Sequence, residues 1–521
     1  MAKELRVIGP PGTGKTTTIR NRVARMVRDG EYEPEDIVLT SFSRAAAQEL
    51  AGAIAVPREN VSTLHALARR TIGAQPIAEV GVLAKQWDES GIPQEWRIGG
   101  ESSADLEDGM ALRGTGQFLT DYSLARARML PEAHPEWQRL AAFEQRWLAF
   151  KRETGSMDFA DMLVYATFDA QAGGACAGEP PVIMVDEAQD LSPLAWLLIR
   201  AWAEHPSVEK FFVMGDPAQA IFTFAGAQPD ELLRALPEDQ SHILGKSYRM
   251  PRAIQQRAEK HLKKHTGTMT EGRVYEARDS EGVVRPSSAT WRDPGDVVSE
   301  CARLADEGRT SLILATCAYM LGPSIQDLRE RGLLFHNKWR RTNHTWNPIS
   351  APTDTTVRTA DRVVAFSSGG DPALWLSMLQ AGAFRIRGGK KHAVESPQDW
   401  EQWLSVEAKG AMEARDMKWL TRNVTRDYQR SVEYANNIIG RKGAAVLNDP
   451  VMISIGTIHS VKGGEADVVF VFPDVSTSGA EEMESTEGRD AAVRLGYVAM
   501  TRAREELVLC AAQGKYELGL A

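Results

Sequence analysis

The residues whose types and spacing can do chemistry begin almost at once. Gly9 to Thr18 reads GPPGTGKTTT. Gly9, Pro10, Gly12, Thr13, Gly14, Lys15 and Thr16 follow the pattern Gly-x-x-x-x-Gly-Lys-Thr, and Thr17 leads into the next element. Glycines let backbone N–H groups turn inward around phosphates, and a helix N-terminus adds partial positive charge. Lys15 can then reach β- and γ-phosphates, and the Thr16 hydroxyl can ligate Mg²⁺. The flanks agree. Leu5 to Ile8 is apolar and β-prone, and Ile19, Val23, Met26 and Val27 fall on one helical face that Gly30 stops. Strand, glycine loop and helix in this order predict a phosphate-binding loop rather than a chance turn.

Such a loop needs carboxylates from elsewhere. PPVIMVDEAQDLSP supplies them: Val182 to Val185 is a short apolar run, expected to be a buried parallel strand, with Asp186 and Glu187 at its C-terminal end. Asp186 is expected to hold Mg²⁺ through water, and Glu187 to orient and deprotonate the attacking water. The alternative is an acidic helix start with Asp190 merely capping. A second strand-to-carboxylate edge is EKFFVMGDPAQAIFTFAGA, with Phe211 to Met214 as strand and Gly215-Asp216 as turn. Gln219 could hydrogen-bond the γ-phosphate or the attacking water. Phe222 and Phe224 alternate, so at least one of them could face a cleft; the alternative is that both are core.

The elements that position these groups must belong to several domains, because 521 residues exceed one hydrophobic core. Composition is ordinary globular, 43% hydrophobic and 25% charged, which argues against wholesale disorder. A net charge of −9 excludes a protein basic all over but leaves room for a local basic groove. Cys176, Cys301, Cys317 and Cys510 are scattered, with neither a disulfide framework nor a zinc ribbon suggested. A reducing, cytoplasmic setting is therefore expected. MAKELRVIGPPG enters a strand directly, with no signal peptide expected, and no apolar run approaches a membrane span.

After the phosphate loop, DEAQD, GDPAQAIFTFAGA, SYRMP, TIHSVKGGEADVV and YVAMTRAREEL occur in that order. Together these blocks resemble the UvrD/Rep-like superfamily 1 DNA helicases, over about Val7 to Cys510, with unmatched stretches between. The resemblance implies an α/β fold of two RecA-like P-loop domains with parallel sheets, ATP between them, each carrying a mainly helical inserted subdomain. Carried onto this chain, the first core is 1–73 and 152–240, with 74–151 as its helical insertion. The second core is 241–337 and 449–521, with 338–448 inserted. SLILATC, VMISIGTIH, ADVVFVFPD and ELVLCAA read independently as strands, and a helical pattern with Ile325 and Leu328 follows the first of them. In the first insertion Trp137, Leu140, Phe143, Trp147 and Phe150 recur at helical spacing, and core packing is the favoured reading over a base-stacking surface.

The resemblance also assigns roles. Tyr248 would stack on the adenine, Arg249 would contact the γ-phosphate from the second domain, Arg502 would be the other γ-phosphate arginine, and Glu465 a ribose contact. Guanidinium groups suit that task because negative charge redistributes on phosphoryl oxygens in the transition state. The alternative for the arginines is a surface ion pair, including Arg504 with Glu505 on a helix. DNA contacts map to Phe42, Thr63, His65, Phe222, Phe224 and His459. Stacking on aromatics tolerates any base, as a motor on single strands requires.

Three positions depart from the family pattern. No glutamine precedes Gly9 to read the adenine edge, so relaxed base discrimination is expected. Ala225 stands where relatives commonly have arginine, and Gly464 where they often have leucine. KWRRTNHTW, Lys338 to Trp346, is either a nucleic-acid contact or a solvated loop. His261 and His265 lie four apart without a visible third ligand for zinc. Glu481 to Asp490 reads as a solvated acidic loop. The expected activity is an ATP-dependent DNA helicase moving 3′→5′ on single-stranded DNA and opening duplex at single-/double-strand junctions. The alternatives are a translocase that strips bound proteins without unwinding alone, a ring-forming ATPase of another motor class, and a nucleotide-dependent scaffold without turnover.

Overall fold

The structure, a computed structural model, describes residues 3–42, 47, 50–52, 54–98, 116–234, 236–267, 273–337, 349, 357–395 and 399–520. Short apolar runs form its strands. In the first sheet these are β1 (Lys3–Ile8), β2 (Ile37–Ser41), β3 (Val61–Thr63), β4 (Val182–Asp186), β5 (Lys210–Gly215) and β6 (Ser241–Ile243). Their order is β3-β2-β4-β5-β1-β6, and every pairing is parallel. A parallel sheet needs helical crossovers and is covered on both faces. Accordingly Val182 to Val185 are fully buried, and the helix Lys15–Arg28 buries Ile19, Val23 and Met26. The C-terminal strand ends, where such sheets place their ligand sites, carry the phosphate loop after β1, Asp186 on β4 and Asp216 after β5.

A second parallel sheet comprises β7 (Val283–Ser287), β8 (Ser311–Ala315), β9 (Phe335–Asn337), β10 (Ile453–Thr457), β11 (Ala466–Val471) and β12 (Ala503–Cys510). Its order is β7-β12-β11-β8-β10-β9. Two parallel α/β sheets agree with the expected fold class. Among the described residues, no helix is long and apolar enough to cross a membrane.

The chain divides into two compact units, Met1–Glu281 with Met483–Thr501, and Gly282–Glu482 with Arg502–Ala521. The resemblance puts the boundary at 241 and 483–501 in the second core. The structure groups both segments with the first sheet instead. The physical reasons are local. β6 pairs with β1, and helix Arg252–Leu262 packs on helix Thr486–Met500. An alternation of strands and helices in a sequence does not say which sheet a strand joins. The acidic stretch also differs from expectation. Glu481 and Glu482 end the helix Thr477–Glu482, and the helix Thr486–Met500 runs through Asp490. Asp490 is buried and accepts hydrogen bonds from the Thr266 backbone N–H and hydroxyl, at 2.9 and 2.6 Å.

The aromatic stripe of residues 137–150 packs as core. Leu140, Phe143, Trp147 and Phe150 on helix Pro135–Thr154 are buried with Trp87, Leu119 and Tyr122, and Trp137 is partly buried against them. The Trp87 and Trp147 rings meet edge to face at 4.7 Å. At the root of this cluster Lys151 Nζ donates to Asp158 Oδ2 (2.6 Å) and Asp161 Oδ2 (2.5 Å), and Trp147 Nε1 donates to Asp158 at 2.9 Å. Arg126 Nη1 lies 3.0 Å from Asp158 Oδ1 and 2.8 Å from Asp161 Oδ1, so two cations balance the two buried carboxylates. In the second unit, helices from Thr359–Ser368 to Arg426–Lys442 bury Phe366, Trp375, Trp419 and Leu420 in a core of their own. Lys338 to Trp346 lies outside the described residues.

Trp147→Ala should lower unfolding stability by about 3–5 kcal/mol, through the cavity and the lost hydrogen bond. Urea denaturation measures it, and a loss under about 1 kcal/mol would contradict the packing described.

Candidate active site

The loop that follows β1 is shaped by its glycines. Gly12 and Gly14 adopt φ of +71° and +83°, which side chains resist. Gly9 N–H donates to Gly215 O at 2.9 Å, holding the loop over the end of β5. The Thr13 hydroxyl closes a turn on Pro10 O at 2.7 Å. Thr16 and Thr17 lie in the first turn of helix Lys15–Arg28, whose N-terminal N–H groups are available to anions. Lys15 crosses Gly9, where a Cβ would come within 2.1 Å of its Cγ. Its ammonium donates to Gly9 O at 3.0 Å and lies 3.7 Å from Glu187 Oε1.

The carboxylates stand where the strands end. Asp186 is buried and is the last residue of β4, and its Oδ1 accepts the Glu187 N–H at 2.9 Å. Glu187 is held at φ +51°, an uncommon left-handed conformation that turns the chain sharply after the strand. Gln189 was not singled out in the sequence, yet it joins the two carboxylate edges. Its Oε1 accepts the Asp216 N–H at 3.0 Å, which leaves Nε2 to donate to Glu187 Oε2. Gly215 leaves room for it, since a Cβ there would sit 2.5 Å from Gln189 Oε1. Gln219 donates from Nε2 to Asp216 Oδ2 at 2.7 Å. Asp190, the alternative cap, lies in a short 3₁₀ turn and is buried.

Arg249 belongs to this first unit, not to the second in which the resemblance places it. SYRMP packs on the phosphate loop. Ser247 Oγ donates to Pro11 O and Tyr248 N–H to Gly12 O, both at 2.8 Å, and a Cβ on Gly12 would lie 2.3 Å from Arg249 Cβ. β6 leads into this segment and pairs with β1, so the chain is carried beside the loop by the sheet itself. Tyr248 is 69% exposed, as a ring offering a stacking face must be.

Glu465, Arg502 and His459 lie in the second unit. Arg502 Nη1 donates to Gly464 O at 3.4 Å, and its carbonyl accepts the Ala466 N–H at 3.1 Å. Arg504 does not pair with Glu505 on a helix. Ala503–Cys510 is a strand, Arg504 lies 3.6 Å from both Glu465 and Asp467, and Glu505 pairs with Arg309 at 2.8 Å. His459 is half-buried in the turn after β10.

Of the residues expected along a DNA path, three aromatics come together. Phe42 and Phe222 have ring centroids 5.1 Å apart, and Phe222 and Phe224 6.0 Å. Phe222 is buried while Phe42 and Phe224 are half-buried, so the alternation noted in the sequence resolves unevenly. Thr63 caps helix Leu64–Ile72, accepting from Ala66 N–H at 3.4 Å. Thr63 and His65 line a cavity of about 820 Å³ together with Arg58, Arg69 and Phe159. The His65 ring sits deep in this wall although its edge stays partly exposed, and it meets Phe159 edge to face at 6.1 Å. Burial lowers its pKa to about 4.

Two parallel α/β units, one bearing a glycine phosphate loop with a lysine and two strand-end carboxylates, define a P-loop nucleotide-binding protein. Family models narrow the class. UvrD/REP helicase N-terminal domain matches residues 1–239, and UvrD-like helicase C-terminal domain matches residues 452–510. The chain belongs to the UvrD/Rep-like helicase family. It is similar to DNA helicase IV of Escherichia coli, 27% identical over 271 residues, which is 43% of this chain and 39% of that protein. It is also similar to ATP-dependent DNA helicase UvrD2 of Mycobacterium tuberculosis, 26% identical over 277 residues, 47% of this chain and 39% of the relative. DNA helicase II of Escherichia coli is 22% identical over 363 residues, 60% of this chain and 47% of its own length. The chain thus matches well under two thirds of the length of these relatives.

The buried ring of His65 makes stability depend on pH. Its folded pKa lies below the unfolded value of about 6.5, so the unfolded state binds more protons between the two. The stabilising contribution is full above about pH 6.5 and is lost as pH falls through about 4. Melting temperature should therefore fall more steeply between pH 6.5 and pH 4 in the wild type than in His65→Leu. Parallel curves would contradict the buried neutral imidazole.

Proposed function

We propose that this chain is an ATP-driven DNA motor, a helicase that moves 3′→5′ along single-stranded DNA and opens duplex at the junction. The observation that carries the reading is the meeting of the phosphate loop, the β4 carboxylates and the Ser247–Arg249 turn within one unit. Lys15 lies 3.7 Å from Glu187, and Tyr248 N–H is bonded to Gly12 O at 2.8 Å.

In this reading ATP binds by its phosphates across residues 9–17, with Lys15 drawn from Gly9 O to the β- and γ-oxygens. The residues fit a metal–nucleotide ligand: Thr16 and Asp186 would hold Mg²⁺, which supplies neutralising charge to the phosphate oxygens. Tyr248 stacks on the base. Glu187 takes the proton of the attacking water, and Gln219 orients that water or the γ-phosphate. Arg249 and Arg502 stabilise charge on the transferring phosphoryl group. Glu465 holds the ribose. Hydrolysis is coupled to bases stacked along Phe42, Phe222 and Phe224, with Thr63, His65 and His459 beside the strand. The names of the relatives, which include ATP-dependent DNA helicases, support the same chemistry.

Two outcomes test this. Glu187→Gln should retain nucleotide binding and lower DNA-stimulated ATP hydrolysis by about 10²–10⁴-fold, measured by phosphate release. An unchanged rate would remove Glu187 as base. On tailed duplexes, strand displacement should require a 3′ single-stranded tail. Displacement from 5′ tails alone would reverse the polarity. ATP hydrolysis and movement without displacement on either would leave a translocase.

A further inference from the structure

One segment that carries no family motif holds the site together from behind. Arg273 is buried, and its Nη2 donates to Asp216 Oδ2 at 2.7 Å and to the Tyr497 hydroxyl at 2.6 Å, while Nη1 donates to Glu259 Oε1 at 3.0 Å. Tyr275, two residues on and on the same side of the extended chain, donates to Glu259 at 2.9 Å. The Asp216 oxygen that accepts Arg273 also accepts Gln219 Nε2 at 2.7 Å. A carboxylate only accepts, so the amide nitrogen must face it and the amide oxygen is turned away from it. Tyr497 lies on helix Thr486–Met500. Thr501 ends that helix, and Arg502 is the next residue. The helix is tied to the same turn a second time, by Arg494 Nε donating to Ala220 O at 2.8 Å. The segment also braces the Ser247–Arg249 turn: Ser247 N–H donates to Glu276 O at 2.8 Å and Arg278 N–H to Met250 O at 2.7 Å.

We propose that Arg273 is a positioning residue of the ATPase. It sets the Gln219 amide through Asp216, and is itself held in register by the Tyr497 hydroxyl and Glu259. The proposal rests on the motor reading above and adds to it what positions Gln219, a group that would read the γ-phosphate. A buried ion pair is a weak source of stability compared with apolar packing, so the work of this one lies in the register it imposes on its partners. The forked, planar guanidinium suits it, because a lysine cannot address Asp216, Tyr497 and Glu259 at fixed angles.

Steady-state ATP hydrolysis on single-stranded DNA tests it with Tyr497→Phe, Arg273→Lys, Gln219→Ala and the double variant Tyr497→Phe/Gln219→Ala. Tyr497→Phe and Arg273→Lys should each lower kcat about 5- to 10-fold, with KM for ATP within about twofold and melting temperature near the wild type. In the Gln219→Ala background, Tyr497→Phe should cost less than about twofold, because both act through one linkage. Multiplying effects, or wild-type kcat in Tyr497→Phe or Arg273→Lys, would overturn the proposal and leave the motor reading intact. A wild-type chain that does not hydrolyse ATP would overturn both.

Discussion

The nucleotide site of the first unit depends on one close approach, that of the Gly12 backbone to Ser247, Tyr248 and Arg249. The Gly12 carbonyl accepts the Tyr248 N–H, the Pro11 carbonyl accepts the Ser247 hydroxyl, and no Cβ fits between Gly12 and Arg249. This contact fixes the wall of the phosphate loop and the aromatic and guanidinium groups with one geometry. It exists because β6 adds to the sheet beside β1, carrying the chain directly past the loop. Parallel pairing then brings β4 and β5 to the same edge, so that Glu187 arrives beside Lys15 and Asp216 beside Gln189 without any long loop.

Polar groups buried behind that edge are linked in series. Gln189 bridges Glu187 and the Asp216 backbone, Asp216 bridges Gln219 and Arg273, and Arg273 bridges Glu259 and Tyr497. Each member would be costly if left without its partner in a low-dielectric interior. A displacement at one end therefore cannot be absorbed locally. In the proposed reading, this series would hold Glu187 and Gln219 in register at the phosphate site.

Legibility in the sequence followed the range of the interaction. The strand–loop–helix around Lys15, the strand ending at Asp186 and the core stripe at Trp147 are local patterns of period and spacing, and the structure reproduces them. The resemblance puts Arg249 in the second core, whereas the structure groups it with the first unit, because β6 joins β1. The acidic run 481–490 is exposed at its glutamates, as expected, but Asp490 is buried and bonded to Thr266, 224 residues away in sequence. Gln189 and Arg273 escaped for the same reason. Their roles come from partners across the fold, Asp216 for one and Asp216 with Tyr497 for the other, and neither spacing nor residue type announces them. The alternation of Arg273 and Tyr275 on one side of an extended segment was the only local trace.

The central claim is that this close approach builds a triphosphate site, and a nucleotide-binding titration tests it most directly. MgATP should bind the wild type saturably, and Gly12→Ala should weaken binding at least about tenfold, because its φ of +71° strains alanine and its Cβ would displace Arg249. Equal affinity in a folded Gly12→Ala protein would contradict it.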